Sequence, residues 1–260
     1  MSERKPLIVA NWKMYLDAKS SKLAADSLVR MERGANVDVV VCPSYPLLAS
    51  IKEILAGSGM ELGAQDVHFH ESGAFTGDVS VGEVKDFVRY VIVGHSERRH
   101  YHGDTDEIVA IKVRLLLKAG LHPIVCVGES AEEHEQGKTI EKIRQQVEMI
   151  LKDLPLLDFP RIIFAYEPIW AISPSLDQHA PQPESQEVAE VSNLIRKVIS
   201  DCGGNKYIEK MRIIYGGSVN AKNVAQFVKE PGVDGVLVGG ASTKPADFIS
   251  IIREVAQCRS

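Results

Sequence analysis

The strongest constraint on this chain is an alternation that runs along its whole length. Eight short apolar runs recur, at Leu7 to Ala10, Val37 to Cys42, Met60 to Ala64, Tyr90 to Val93, Pro123 to Val127, Ile162 to Tyr166, Arg212 to Tyr215 and Gly235 to Val238. Between them lie helix-compatible stretches with apolar residues at every third or fourth position, such as Asp17 to Met31, Thr105 to Lys118, Thr139 to Leu151, Ser185 to Ser200 and Ala246 to Ala256. A run such as Ile162 to Tyr166, rich in Ile, Phe and Ala, reads as a strand buried on both faces, the condition of a parallel sheet covered by helices. Eight βα units without a linker-like change of composition suit a closed (β/α)8 barrel better than an open, doubly wound sheet. One α/β domain over residues 1–260 is expected, and 45% hydrophobic residues supply a core for it. The Pro-rich polar stretch Ser173 to Ser185 interrupts the sixth unit and reads as an active-site loop, not a boundary.

Several partners are excluded on general grounds. A net charge of −5 argues against nucleic acid. No apolar run approaches the roughly 20 residues that span a bilayer, and Met1-Ser2-Glu3-Arg4-Lys5 lacks the apolar stretch of a signal peptide, so no membrane association and a cytoplasmic location are expected. Cys42, Cys126, Cys202 and Cys258 lie far apart without a CxxC pair, so they read as buried thiols with neither a zinc knuckle nor a disulfide frame. His68 and His70, and His100 and His102, have i,i+2 spacing but no completing ligand, and read as surface loop residues; no metal site is expected.

In a barrel, the residues just past each strand's C-terminal end share one face. Here they are Asn11-Trp12-Lys13, Gly94-His95-Ser96-Glu97-Arg98-Arg99, Glu167, Gly216-Gly217-Ser218 and Gly239-Gly240. A carboxylate at the mouth of a low-dielectric interior can gain proton affinity, so Glu167 is a candidate general base; the alternative is that it caps a helix or pairs with a cation. The paired glycines let backbone N–H groups approach an anion closely, and each pair is expected to precede a helix whose positive end adds to a phosphate cradle.

These residues resemble a known family closely. Asn11-Trp12-Lys13-Met14, Gly63-Ala64-Gln65-Asp66, Phe75-Thr76-Gly77-Asp78-Val79-Ser80, Gly94 to Arg99, Ala165-Tyr166-Glu167-Pro168, Tyr215 to Asn220 and Leu237 to Ser242 are similar, in order and across nearly the whole chain, to the signatures of the triosephosphate isomerase family. The resemblance implies interconversion of dihydroxyacetone phosphate and D-glyceraldehyde 3-phosphate, small phosphorylated sugars, by a homodimer with no metal or organic cofactor. It implies that Glu167 is the base that takes a proton alpha to a carbonyl, and that His95 exchanges protons with the two oxygens of the enediolate. By the same resemblance Lys13 sets a positive charge beside oxygen and phosphate, Asn11 bonds near the same oxygen, and Glu97 pairs with or orients Lys13, a direct proton-shuttling role being the alternative. Phosphate contacts are implied at Ser173, Ser218, Gly239 and Gly240. The family is itself the standing example of a carboxylate base paired with a neutral histidine whose pKa a helix N-terminus lowers.

The third loop, Gln65 to Val81, is long, carries Phe69 and Phe75 and has no helical period. By resemblance it inserts into a partner subunit, with Thr76 touching the partner's Asn11 and His95 region. One segment departs from the family: Ser173-Pro174-Ser175 replaces a Gly-Thr-Gly tip, and the loop runs about two residues longer. Pro174 has no N–H and stiffens the tip, so a slower lid is expected. Trp170 reads as a packing anchor at the loop's hinge. Three other functions are weighed: an isomerase of a four-carbon sugar phosphate, a barrel glycosidase using Glu97 with Glu167, and a non-catalytic barrel.

Overall fold

A computed structural model describes residues 4–31, 36–171 and 182–258. Eight parallel strands close into a barrel in sequence order, β1 to β8. They are β1 (Leu7–Asn11), β2 (Asp38–Cys42), β3 (Glu61–Ala64), β4 (Tyr90–Val93), β5 (His122–Val127), β6 (Ile163–Tyr166), β7 (Arg212–Tyr215) and β8 (Gly235–Val238). β8 returns to β1 with Leu7 opposite Gly235 and Ala10 opposite Val238. Each expected strand is present within one residue at either end.

The long helices are α1 (Ala18–Val29), α5 (Asp106–Lys118), α7 (Thr139–Leu151), α8 (Ser185–Ile199) and α10 (Pro245–Cys258). Asp17 and Thr105, expected as first helical residues, stand outside as caps: Asp17 Oδ1 accepts from Ser20 N at 2.7 Å and Thr105 Oγ1 from Ile108 N at 3.3 Å. Shorter helices, α2 (Leu48–Leu55), α3 (Val81–Val84), α4 (Ser96–His102), α6 (Ala131–Glu135) and α9 (Val224–Val228), complete the units. No helix among the described residues is long and apolar enough to cross a membrane.

Strand alternation sorts the apolar side chains into two cores. Leu7, Val9, Val40, Cys42, Tyr90, Ile92, Ile124, Cys126, Ile163, Ala165, Ile214 and Leu237 fill the barrel interior. Their neighbours, such as Ile8, Val41, Val91, Val125, Phe164 and Ile213, pack outward against the helices. Between their ends the strands are therefore apolar at consecutive positions, not at alternate ones, and the polar strand residues Asn11, Asp38, Glu61, His122 and Arg212 stand at strand ends. At Gly63 the interior leaves no room for a side chain, since a Cβ there would lie 2.6 Å from Cys42 Sγ.

Two expectations need correction. Cys42 and Cys126 are buried but Cys202 and Cys258 are only half-buried, because the latter sit near the ends of the outer helical layer instead of in the barrel. His100 and His102 lie on α4, not in a loop, and His68 stacks on Phe69 and lies tilted against Phe75, with ring centroids 4.4 and 4.3 Å away, so it packs among aromatic rings.

Outside the barrel, Lys112 of α5 is buried with its ammonium 2.9 Å from both oxygens of Asp66 and 2.6 Å from Asp104 Oδ2. Arg98 of α4 adds its Nε at 2.9 Å from Asp66 Oδ2. This cluster ties the start of the third loop to α4 and α5. Removing one member of a buried ion cluster leaves an uncompensated charge. Lys112→Met is expected to lower stability by about 3–5 kcal/mol, read as an earlier midpoint in urea unfolding, and an unchanged midpoint would show that the cluster is not holding the loop.

Candidate active site

The inward series of the strands runs on past their ends. Residues 163 and 165 of β6 lead to Glu167, 7 and 9 of β1 lead to Asn11, 214 of β7 leads to Gly216, and 237 of β8 leads to Gly239. β4 breaks the alternation: Gly94 takes φ 69, a left-handed turn that suits glycine, and the next residue, His95, faces the same space. Asn11, Lys13, His95, Glu167, Gly216, Ser218, Gly239 and Gly240 thus line one cavity of about 380 Å³.

Glu167 is buried, and both of its oxygens are engaged. Oε1 lies 3.2 Å from His95 Nε2, and Oε2 accepts from the Ser96 backbone N–H at 3.1 Å, in the first turn of α4. His95 Nδ1 accepts from the Glu97 N–H at 3.2 Å, capping that helix. With Nδ1 an acceptor, the proton of the neutral ring sits on Nε2 and points at Glu167. The space around the base is tight. A Cβ at Gly216 would lie 2.7 Å from Glu167 Cγ, and one at Gly128 would lie 1.8 Å from the Glu167 carbonyl oxygen. Beneath it, burial and then the Glu167 charge push the Cys126 thiol well above its usual range, so Cys126 stays a neutral neighbour.

Lys13 has φ 49, unusual for a residue with a side chain. Its backbone is held on both sides: its N–H donates to Asn11 Oδ1 at 3.1 Å, and its carbonyl accepts from Gln65 Nε2 at 2.8 Å. The ammonium reaches Glu97 Oε1 at 2.7 Å, as the pairing of these two residues anticipates. Lys13 also borders the glycine turn, its Cε being 3.3 Å from where a Cβ of Gly239 would stand. Glu97 turns Oε1 to Lys13 and holds Oε2 3.7 Å from His95 Nδ1, while Glu167 lies on the opposite side of the same ring, at Nε2.

The two glycine turns differ. Gly240 opens a short 3-10 turn, Gly240–Thr243, directly before α10, with Ser242 Oγ donating to the Gly239 carbonyl at 2.7 Å. Gly216-Gly217-Ser218 does not precede a helix directly, contrary to expectation, because Asn220 and Asn223 form a polar turn first. Asn220 Oδ1 accepts from Lys222 N at 2.8 Å, and Asn223 Nδ2 holds the Ser218 carbonyl at 3.0 Å. α9 then starts only at Val224. Ser173, with Pro174 and Ser175, lies outside the described residues. Thr76 is exposed on the third loop.

Gln65, Cys126 and Glu129 were not singled out from the sequence. Gln65 acts through backbone carbonyls of β1 and β2, and Cys126 through burial, so neither carries a sequence signal. Glu129 does carry one, as a carboxylate just past the end of β5. It is buried beside the base, accepting from Tyr166 Oη at 3.1 Å and Trp170 Nε1 at 2.9 Å. Trp170 is thus a packing anchor, as expected. Among the described residues, no group of three or more His, Cys, Asp or Glu side chains is placed to hold a metal ion.

Residues 6–255 match the triosephosphate isomerase family. The chain is 40% identical to the triosephosphate isomerase of Thermoanaerobacter sp. (strain X514), over 96% of this chain and 99% of that protein. It is 41% identical to the protein of that name from Carboxydothermus hydrogenoformans, over 96% and 98%. With that of Dehalococcoides mccartyi (strain CBDB1) the identity is 42%, over 97% of each. A closed eight-stranded barrel, one rim bearing Lys13, His95 and Glu167, and similarity over nearly the full length of both partners lead to one conclusion: this chain belongs to the triosephosphate isomerase family.

Proposed function

We propose that the protein interconverts dihydroxyacetone phosphate and D-glyceraldehyde 3-phosphate by proton transfer through an enediolate, without a metal or organic cofactor. The observation that carries this is the contact between Glu167 and His95 Nε2 at 3.2 Å, inside a cavity that also holds Lys13 and two glycine turns. Moving a carbonyl by one carbon needs a base at the carbon alpha to it and a donor at the oxygen where charge develops. Glu167 supplies the base. Its carboxylate stands against His95 Nε2 and the Ser96 N–H; when substrate takes over the imidazole, Glu167 is freed toward carbon. His95, with its proton on Nε2, donates to the oxygen that becomes negative and recovers a proton as the carbonyl re-forms at the neighbouring carbon.

Lys13 adds a fixed positive charge, and the Asn11 side chain sits near the same oxygen. Glu97, bound to Lys13, orients that ammonium, and its N–H fixes the far side of the His95 ring. Ser218, Gly239 and Gly240 turn toward the phosphate, with Ser173 assigned there from the resemblance alone. The low dielectric around Glu167 strengthens each of these interactions.

We also infer a homodimer in the cytoplasm. Met14 is 94% exposed and Tyr15 60% exposed, directly after Lys13, and Phe75 and Tyr101 are exposed too, a large apolar surface for one chain to leave in water. A partner's third loop laid over Met14 and Tyr15 covers it, with Thr76 approaching the partner's Asn11 or His95. Four free cysteines suit a reducing compartment.

Glu167→Gln keeps side-chain volume and removes the base, so turnover of glyceraldehyde 3-phosphate is expected to fall on the order of 10²- to 10⁴-fold while inorganic phosphate still binds. Near-normal turnover in that variant would reassign the base. Shortening the loop between Phe69 and Asp78 is expected to give poorly active monomers by sedimentation; a fully active monomer would remove the dimer from the mechanism.

A further inference from the structure

Glu129 has no exposed surface, so its carboxylate relies on protein groups alone. Its Oε1 takes the Tyr166 hydroxyl and the Trp170 indole N–H, and its backbone carbonyl takes the Ile169 N–H at 3.1 Å. These donors stand one residue before and two and three residues after Glu167, so the chain that carries the base hangs on Glu129 from both sides. Burial and then the Glu129 charge push the Tyr166 hydroxyl far above its usual range, which keeps it a donor. All three donors are neutral. Glu129 Oε2 is buried without a hydrogen-bond partner among the described residues.

One group can supply the missing charge. His134 of α6 places Nδ1, itself buried and without a hydrogen bond among the described residues, 3.5 Å from Glu129 Oε1. The same ring stacks on the Trp170 indole, with centroids 4.3 Å apart and planes at 30°. Two titratable groups face its Nδ1, Glu129 after β5 and Glu187 of α8 with Oε1 3.8 Å away, and Tyr166 of β6 lies on the far side of Glu129, with its hydroxyl on Oε1. Both acidic neighbours are carboxylates, and among the described residues neither makes an ion pair with Lys or Arg. A buried carboxylate is held best by a charged donor, and an indole face attracts a cation within about 6 Å. Protonation of this one ring meets both needs.

We propose that His134 is a pH-dependent positioning residue for the base. Its charged ring pairs with Glu129 and rests on Trp170, fixing the Pro168–Ala171 turn behind Glu167; its neutral ring releases that hold. An imidazole changes charge between about pH 5 and 8, so the hold strengthens as pH falls through that window. The kinetic half of the proposal rests on the isomerase function above, whereas the spectroscopic half does not.

The test uses the full chain and two readouts from pH 5 to 9. The first is intrinsic tryptophan emission without ligand, in which a protonated ring against the indole quenches Trp170. Wild type is expected to show an inflection in the imidazole range that His134→Gln and Trp170→Phe both lack. The second is kcat on glyceraldehyde 3-phosphate. The ratio of wild type to His134→Gln is expected to fall from about threefold or more at the acid end to about one at the alkaline end, with KM little changed. His134→Arg, charged throughout, should follow wild type at the acid end and exceed it at the alkaline end. An emission inflection that survives in His134→Gln overturns the proposal, and so does a kcat ratio that is constant with pH, which marks a merely structural role. If wild type lacks isomerase activity, the proposed function falls, and the emission titration still decides whether His134 holds Trp170 through its charge.

Discussion

Closure of β8 onto β1 is the constraint on which the rest of this structure depends. It happens where Gly235, with φ 148, meets Leu7: a Cβ at that glycine would lie 1.9 Å from the Leu7 carbonyl oxygen. Just before it, Asp234 is held by Arg4 and Arg196 and accepts from the Ile213 N–H. A closed barrel has no unpaired strand edge, and its parallel strands all end on one rim. Residues as distant in sequence as Asn11 and Gly239 therefore share a cavity, and β1, β4, β6, β7 and β8 each contribute to one site.

Around Glu167, the geometry of the candidate site comes from positions that leave side chains little choice. Gly216 and Gly128 approach Glu167 so closely that any side chain would displace it. His95 is locked by a helix-capping bond to the Glu97 N–H, which also decides which ring nitrogen carries the proton. Lys13 is kept in a left-handed backbone by Asn11 and Gln65. Dipoles and charges fixed before substrate arrives need no reorganisation when charge develops, which is where most electrostatic rate enhancement originates.

Buried charge is handled in two ways in this molecule. Asp66 and Asp104 are compensated by ion pairs with Lys112 and Arg98, and they join α4 and α5 to the third loop. Glu129, equally buried, meets only neutral donors and one imidazole. The first arrangement gives rigidity that does not vary with conditions. The second lies behind the turn that follows Glu167, and the imidazole of His134 is the group that faces it.

The sequence by itself determined the order and kind of the elements, because short runs of consecutive apolar residues and helices with apolar residues at every third or fourth are local patterns written in neighbouring residues. It also determined which residues end strands β1, β4, β6, β7 and β8, and the long-range resemblance added roles for Glu167, His95 and Lys13. Local signals misplaced a few details: Asp17 and Thr105 turned out to be caps, and the polar Asn220–Asn223 turn separates Ser218 from its helix. Only the tertiary structure decided what the catalytic side chains lean on. Gln65 holding the Lys13 carbonyl, Cys126 beneath Glu167, and Glu129 linking Tyr166 to Trp170 bring together residues about 40 to 50 positions apart in sequence. Such contacts follow from strand register and barrel closure, and no periodicity in the chain encodes them, because each depends on where a different strand happens to end.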